Sequence, residues 1–189
     1  MKKKTILITG AGGVLGREII NQLLVNDEFD YRIFALELTA DRIPENYLDN
    51  PQIASFDIRQ WEMGQIALDK IDTIVHCAFA RSSSGKLLAR SLKFTKGLLE
   101  GAVKNKVSSV INISSQSVYD RSIKPLWTEE SPVAPGPPDT FYALAKYSSE
   151  LLTSAICKSK DSNTVGTSLR LASLVGEGME ERLPSRFVR

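Results

Sequence analysis

A chain of 189 residues with 42% hydrophobic and 24% charged side chains has the composition of one ordinary globular domain with a sizeable core. Its 24 Lys and Arg against 22 Asp and Glu leave a formal charge of +2, too small to imply a nucleic-acid partner. The apolar runs are too short to cross a bilayer, which takes about 20 residues, so no membrane partner is expected.

In chain order, Lys3–Thr9 reads as a buried strand entered directly from Lys2, Lys3 and Lys4, with no leader-like apolar stretch before it. Val14–Leu24 has helical spacing, with apolar residues at 14, 15, 19, 20, 23 and 24. Tyr31–Leu38, Gln52–Phe56 and Ile71–Cys77 read as strands two to four. Leu87–Lys104 reads as a helix with Leu88, Leu92, Thr95, Leu98, Leu99 and Ala102 on one side. Val107–Ile113 is a fifth strand, Tyr142–Ile156 a helix and Thr164–Leu171 a sixth strand. Four prolines in Ser131–Pro138 make that segment a loop. This alternation predicts an α/β fold, a doubly wound parallel sheet of Rossmann type with helices on both faces, over residues 1–180. Residues 181–189 read as the opening of a C-terminal substrate-binding segment that is not completed. Cys77 and Cys157 lack metal-ligand spacing, so a reduced, cytoplasmic protein without a metal site is expected.

Thr9–Gly16 (TGAGGVLG) lies between the first strand and the first helix, with Gly10, Gly13 and Gly16 in a G-x-x-G-x-x-G spacing. Such a loop lets a pyrophosphate approach its backbone, while the helix starting near Val14 aims free N–H groups and its positive dipole end at the phosphates. The triplet alone also fits an unliganded glycine turn, which the strand–loop–helix context disfavours. Glu37 stands at the end of the second strand, 21 residues after Gly16. A carboxylate there accepts both ribose hydroxyl hydrogens of adenosine and repels a 2′-phosphate, which favours NAD over NADP, although Arg42 lies close in sequence. Tyr142 and Lys146 stand four residues apart on one helical face. A phenol with an ordinary pKa near 10 is a poor base at neutral pH, and a neighbouring ammonium favours its phenolate. By itself, that spacing also fits a surface Tyr–Lys pair.

The ordered set of fragments resembles the extended short-chain dehydrogenases/reductases, the NAD-dependent epimerase/dehydratase group. After TGAGGVLG and Glu37 come Asp57-Ile58, His76-Cys-Ala78, Ser114-Ser115-Gln-Ser-Val-Tyr119, Tyr142-x-x-x-Lys146 with Glu150, then Leu169-Arg170 and Val175-Gly176. The resemblance implies that Tyr142 is the general acid/base, that Lys146 binds the nicotinamide ribose and tunes the phenol, and that Ser115 holds the reacting oxygen. It implies cofactor contacts from Gly10, Gly13, Val14, Leu15, Gly16, Glu37, Asp57, Ile58, Ala78, Phe79, Ala80, Arg81, Ser114, Tyr142 and Lys146, and substrate contacts from Ser115, Gln116 and Ser173. His76, the sole histidine, is read as a buried support for the cofactor loop.

Several positions depart from the family pattern: Ser91 where asparagine is frequent, Asp120 where glycine is usual, and Ser173 where epimerases carry asparagine. Gln116-Ser117 occupies the place of an acidic pair that sugar 4,6-dehydratases need, which disfavours dehydration. The resemblance therefore implies hydride transfer at a secondary alcohol or ketone by an NAD-dependent epimerase or oxidoreductase, in the manner of a UDP-glucose 4-epimerase acting on a nucleotide-sugar. Turnover by these 189 residues alone is expected to be poor. It also implies a homodimer through helices 87–104 and 142–156. A cofactor-sensing or scaffolding protein that keeps the fold without catalysis is the alternative from another class.

Overall fold

The computed structural model describes residues 3–120, 122, 126–160 and 162–174. Val175, Gly176 and residues 181–189 lie outside the described residues. Among the described residues six strands, β1 (Lys3–Thr9), β2 (Asp30–Glu37), β3 (Ile53–Asp57), β4 (Thr73–His76), β5 (Ser109–Ser115) and β6 (Val165–Leu171), form one sheet in the order β3-β2-β1-β4-β5-β6. Every strand pair is parallel. Among the described residues the helices are α1 (Val14–Leu24), α2 (Glu45–Leu48), α3 (Ile58–Glu62), α4 (Gly85–Lys104) and α5 (Thr140–Cys157). This is the Rossmann-type doubly wound arrangement, with its order reversing between β1 and β4.

The strands read as near-continuous apolar runs because both sheet faces are covered. Leu7, Phe34, Leu36 and Ile74 join Leu98, Leu99 and Ala102 of α4 in one core layer. Ile6, Ile8, Ile33, Ala35 and Val75 join Ile20 of α1 and Tyr47 of α2 in the other. Side chains one residue apart thus face opposite layers, as the strand period of two requires.

Element boundaries differ from the sequence expectation where a helix ends. β5 starts at Ser109 rather than Val107, because Lys106 has a positive φ of 58° and the Val107 amide donates to Ala102 O at 3.0 Å. Those residues terminate α4, so they cannot begin the strand. At its other end β5 runs on through Ser114 and Ser115, which pair with Arg170 and Leu171 of β6. α2 and α3 were not anticipated. α3 is set by a capping box in which the Asp57 carboxylate accepts from the Arg59 and Gln60 amides while the Gln60 side chain accepts from the Asp57 amide.

Candidate functional site

The carboxyl ends of β1 and β4 meet in register, Thr9 opposite His76, and a crevice opens beyond them. Four glycines in the loop leaving β1 have distinct reasons to lack a Cβ. Gly10 has φ +69°, and a Cβ there would sit 2.9 Å from the Ala78 amide nitrogen. A Cβ on Gly16 would come within 2.2 Å of Gly10 O, so this glycine serves the internal packing of the loop against α1. At Gly12, a residue outside the triplet, a Cβ would meet Arg42 O at 2.0 Å. Gly13 has only Gly10 O within reach, at 3.2 Å, and its open side lines the crevice. Gly13 is also the N-cap of α1 and offers no side-chain cap, so the first-turn amides at Val14 and Leu15 are a natural anion cradle.

Glu37 is 5% exposed, and its two oxygens accept from the Gly12 amide at 2.8 Å and the Leu38 amide at 3.0 Å. Arg42 Nε stands 3.8 Å from Glu37 Oε2, making an ion pair whose cationic side is more than half exposed. Asp57 is equally buried, but its carboxylate is spent on capping α3 and on Arg59 Nη2 at 2.8 Å, which holds it below the usual carboxylate range. Ile58 lines the crevice and Asp57 does not.

The crevice is a cleft of about 740 Å³ between the glycine loop, the end of β2, Ile58, Ala78–Ala80 and one face of α4. Its far wall is built by Trp61 and Phe94, edge to face at 5.7 Å, with Arg90 and Lys93 alongside. None of these four was singled out from the sequence. For the three on α4 the only sequence signal is helical spacing, which places 90, 93, 94 and 97 along one side of that helix, while Trp61 on α3 has none. A glycine-lined cradle at a helix N-terminus, with a buried carboxylate at the end of the second strand, fits the pyrophosphate and adenosine ribose of a dinucleotide.

Behind the cleft, His76 is 2% exposed and bonded at both ring nitrogens. The Thr95 hydroxyl donates to Ser91 O at 2.9 Å, so it accepts from His76 Nε2 at 2.8 Å. His76 Nδ1 then accepts from the Thr9 hydroxyl at 2.8 Å, and Thr9 Oγ1 accepts from the Ala78 amide at 3.2 Å. Burial, and secondly the Lys146 charge, push the imidazole down to about 3, so it stays neutral. Ser91 Oγ accepts from the Ala80 amide at 3.0 Å and donates to Leu87 O at 3.1 Å. Two amides of the cleft loop are thus tied to β1 and α4.

Lys146 is 3% exposed on α5, and its Nζ donates to Ile113 O at 2.6 Å. Burial lowers it to about 8, opposed by Cys77 and Glu150. Burial also pushes the Cys77 thiol up to about 12. Nζ lies 4.0 Å from the centre of the Phe79 ring and 6.0 Å from that of Tyr142. The Tyr142 ring meets Phe79 edge to face at 6.4 Å, with Arg81 5.9 Å from its centre. Phe79 therefore stands between the cleft and the Tyr142–Lys146 pair, which is not itself in the cleft lining.

Ser115 ends β5, and its Oγ accepts from the Ser117 amide at 3.1 Å. Ser114 is buried, donating its hydroxyl to Glu150, which in turn accepts from Arg170 Nε and Nη2. Arg170 lies 4.8 Å from the centre of the Tyr119 ring, whose stacking partner is Trp127 at 5.6 Å. Gln116 Nε2 donates to Ser173 Oγ at 3.4 Å, so the two expected substrate contacts meet. Among the described residues no group of three or more His, Cys, Asp or Glu could hold a metal, and no helix is long and apolar enough to cross a membrane.

The chain is 29% identical over 169 residues to a dTDP-glucose 4,6-dehydratase of Streptomyces niveus, covering 79% of this chain and 48% of that protein. It is 24% identical over 129 residues to a UDP-glucose 4-epimerase of Rickettsia canadensis, covering 61% of this chain and 38% of the epimerase. The chain thus spans about half the length, or less, of these curated relatives. Among solved structures, a dTDP-glucose 4,6-dehydratase from Bacillus anthracis in complex with NAD superposes with a TM-score of 0.79 at 22% identity, over 98% of this chain and 60% of that one. At that identity the likeness shows the shared fold. The family model described as NAD dependent epimerase/dehydratase matches residues 6–189, and the chain belongs to that family.

Proposed function

We propose that the cleft holds NAD and that Ser115, Tyr142 and Lys146 act beside it in hydride-transfer chemistry at a secondary alcohol or ketone of a nucleotide-linked sugar. The observation that carries this reading is the shared wall at Phe79. Its ring lines the cleft on one side and meets both Lys146 Nζ and the Tyr142 ring on the other.

Gly13, Val14 and Leu15 would hold the pyrophosphate on backbone amides, and Glu37 would hold the adenosine ribose. Ile58, Ala78 and Ala80 would flank the adenosine half, with Phe79, Arg81 and Lys146 toward the nicotinamide half. NAD, when bound, supplies the hydride acceptor. The Ser115 hydroxyl holds the reacting oxygen, and Tyr142 takes or returns its proton. Lys146, fixed by Ile113 O and shielded from water, places a cation beside the phenol and lowers the cost of the phenolate. Gln116 and Ser117 are neutral and cannot serve as an acidic pair for water elimination. We therefore read the reaction as epimerisation or simple oxidation and reduction rather than dehydration, although several of the relatives are dehydratases. The exposed Leu87 of α4 and Phe141, Leu144 and Leu151 of α5 offer an apolar surface for a homodimer.

The test is reduction of NAD by a panel of UDP- and dTDP-linked sugars in the protein that carries this chain, followed by the absorbance of the reduced nicotinamide. The proposal expects a transient or net reduction in the wild type that falls by about 100-fold or more in Tyr142→Phe. Equal reduction in both would remove Tyr142 from the chemistry. Tight NAD binding with no reduction by any sugar, and a biological activity untouched by Tyr142→Phe, would favour the sensor reading.

A further inference from the structure

We propose that Arg81 is a second, permanently charged cation acting on the Tyr142 phenol alongside Lys146, an assignment that rests on reading Tyr142 as the acid/base. The guanidinium carbon lies 5.9 Å from the ring centre and Lys146 Nζ lies 6.0 Å from it, so two cations approach one phenol from two different elements. A cation near the face of an aromatic ring is attracted to its π electrons. That attraction strengthens when the phenol ionises, because part of the phenolate charge enters the ring.

The two cations are not redundant. Lys146 is buried and drops to about 8, so it begins to lose its charge within the pH range in which dehydrogenase chemistry is commonly run. Arg81 is exposed, and a guanidinium keeps its charge throughout that range. Above pH 8, Arg81 becomes the cation that still favours the phenolate. The other titratable or charged groups around Tyr142, among the described residues, do not substitute for it. On the β4 side, Cys77 is a neutral thiol and His76 a neutral imidazole. On α5, Glu150 is held by Arg170 and Ser114, while Asp139 precedes the helix one turn before Tyr142. β5 and the turn after it contribute Ser115, Gln116 and Ser117, none of them charged.

Because Arg81 is exposed, water and salt screen it, and its effect is expected at about half a pH unit rather than several. The measurement is an ultraviolet difference titration of phenolate, wild type minus Tyr142→Phe, which isolates one of the five tyrosines. It needs neither substrate nor cofactor. Arg81→Gln should raise the Tyr142 midpoint by about half a unit or more, Arg81→Lys should keep most of the wild-type value, and Lys146→Met should raise it only to the extent that the lysine is still charged at that midpoint. A Tyr142 midpoint unchanged in Arg81→Gln but raised in Lys146→Met would overturn the role of Arg81 and leave the acid/base reading standing. No change in either variant would also overturn that role. If Arg81→Gln weakens NAD binding without moving the midpoint, Arg81 is a cofactor contact only, and the proposal fails.

Discussion

The Gly12 amide donates to Glu37 Oε1 at 2.8 Å, so the carboxylate that ends β2 also pins the middle of the glycine loop. On the far side of Gly12, the Arg42 carbonyl occupies the space where a Cβ would be. The glycine loop is thus held from the second strand and from the turn that follows it. The Glu37 carboxylate and the glycine loop form one unit.

This unit makes Glu37→Ala a test of both roles. Losing an acceptor of two amide hydrogen bonds costs about 1.5–3 kcal/mol for each bond to a charged group at most. Part of that loss appears as loop loosening. NAD affinity should fall by at least about tenfold, while the melting temperature without cofactor drops measurably. Thermal denaturation with and without NAD reads both. Unchanged stabilisation by NAD would remove Glu37 from the site.

The loop glycines should separate into two classes. Gly16→Ala and Gly12→Ala place a Cβ at 2.2 and 2.0 Å from backbone carbonyl oxygens, so each should destabilise the fold by about 2 kcal/mol or more in urea denaturation. Gly13→Ala meets one oxygen at 3.2 Å and should fold nearly as well as the wild type, yet bind NAD more weakly. A Gly13→Ala variant that unfolds as readily as Gly16→Ala would contradict this division.

Glu150 and Arg170 form a mostly buried pair, 9% and 21% exposed, that ties α5 to β6 and reaches Ser114. Removing one partner leaves a charge stranded, so Arg170→Ala should cost about 2–4 kcal/mol, discounted for the partial exposure of the arginine. Glu150→Gln combined with Arg170→Met should cost less than the sum of the single changes in a double-mutant cycle. Strict additivity would show that the pair is not coupled.

His76 predicts a particular loss of stability in acid. Its pKa is about 3 in the folded chain, against an ordinary value of 6.5 once unfolded. Between those limits the unfolded chain binds the extra proton, so stability is complete above about pH 6.5 and falls as the pH drops toward 3. The loss approaches about 1.4 kcal/mol per pH unit within the window. His76→Asn should start less stable but show a flatter profile between those limits. Parallel profiles for the two proteins would contradict a buried neutral histidine.

Strand and helix types were legible in the sequence because both sheet faces are covered and α1, α4 and α5 are long and periodic. Glycine spacing and the Tyr142–Lys146 interval marked the candidate site, since both depend on neighbours in sequence. The capping box that starts α3 was also written in Asp57 and Gln60, and its use there explains why the Asp57 carboxylate faces Arg59. What the sequence did not display was spatial. The proximity of Gly12 to Arg42, the Trp61–Phe94 wall and the Phe79 partition each join residues from separate elements, and only packing brings them together.

The NAD assignment is tested by calorimetric titration of NAD and of NADP, separately, into the folded protein freed of bound nucleotide. NAD should bind in preference to NADP, and Gly13→Val and Glu37→Lys should each abolish binding. Failure of the folded protein to bind either cofactor, or a preference for NADP, would contradict the assignment.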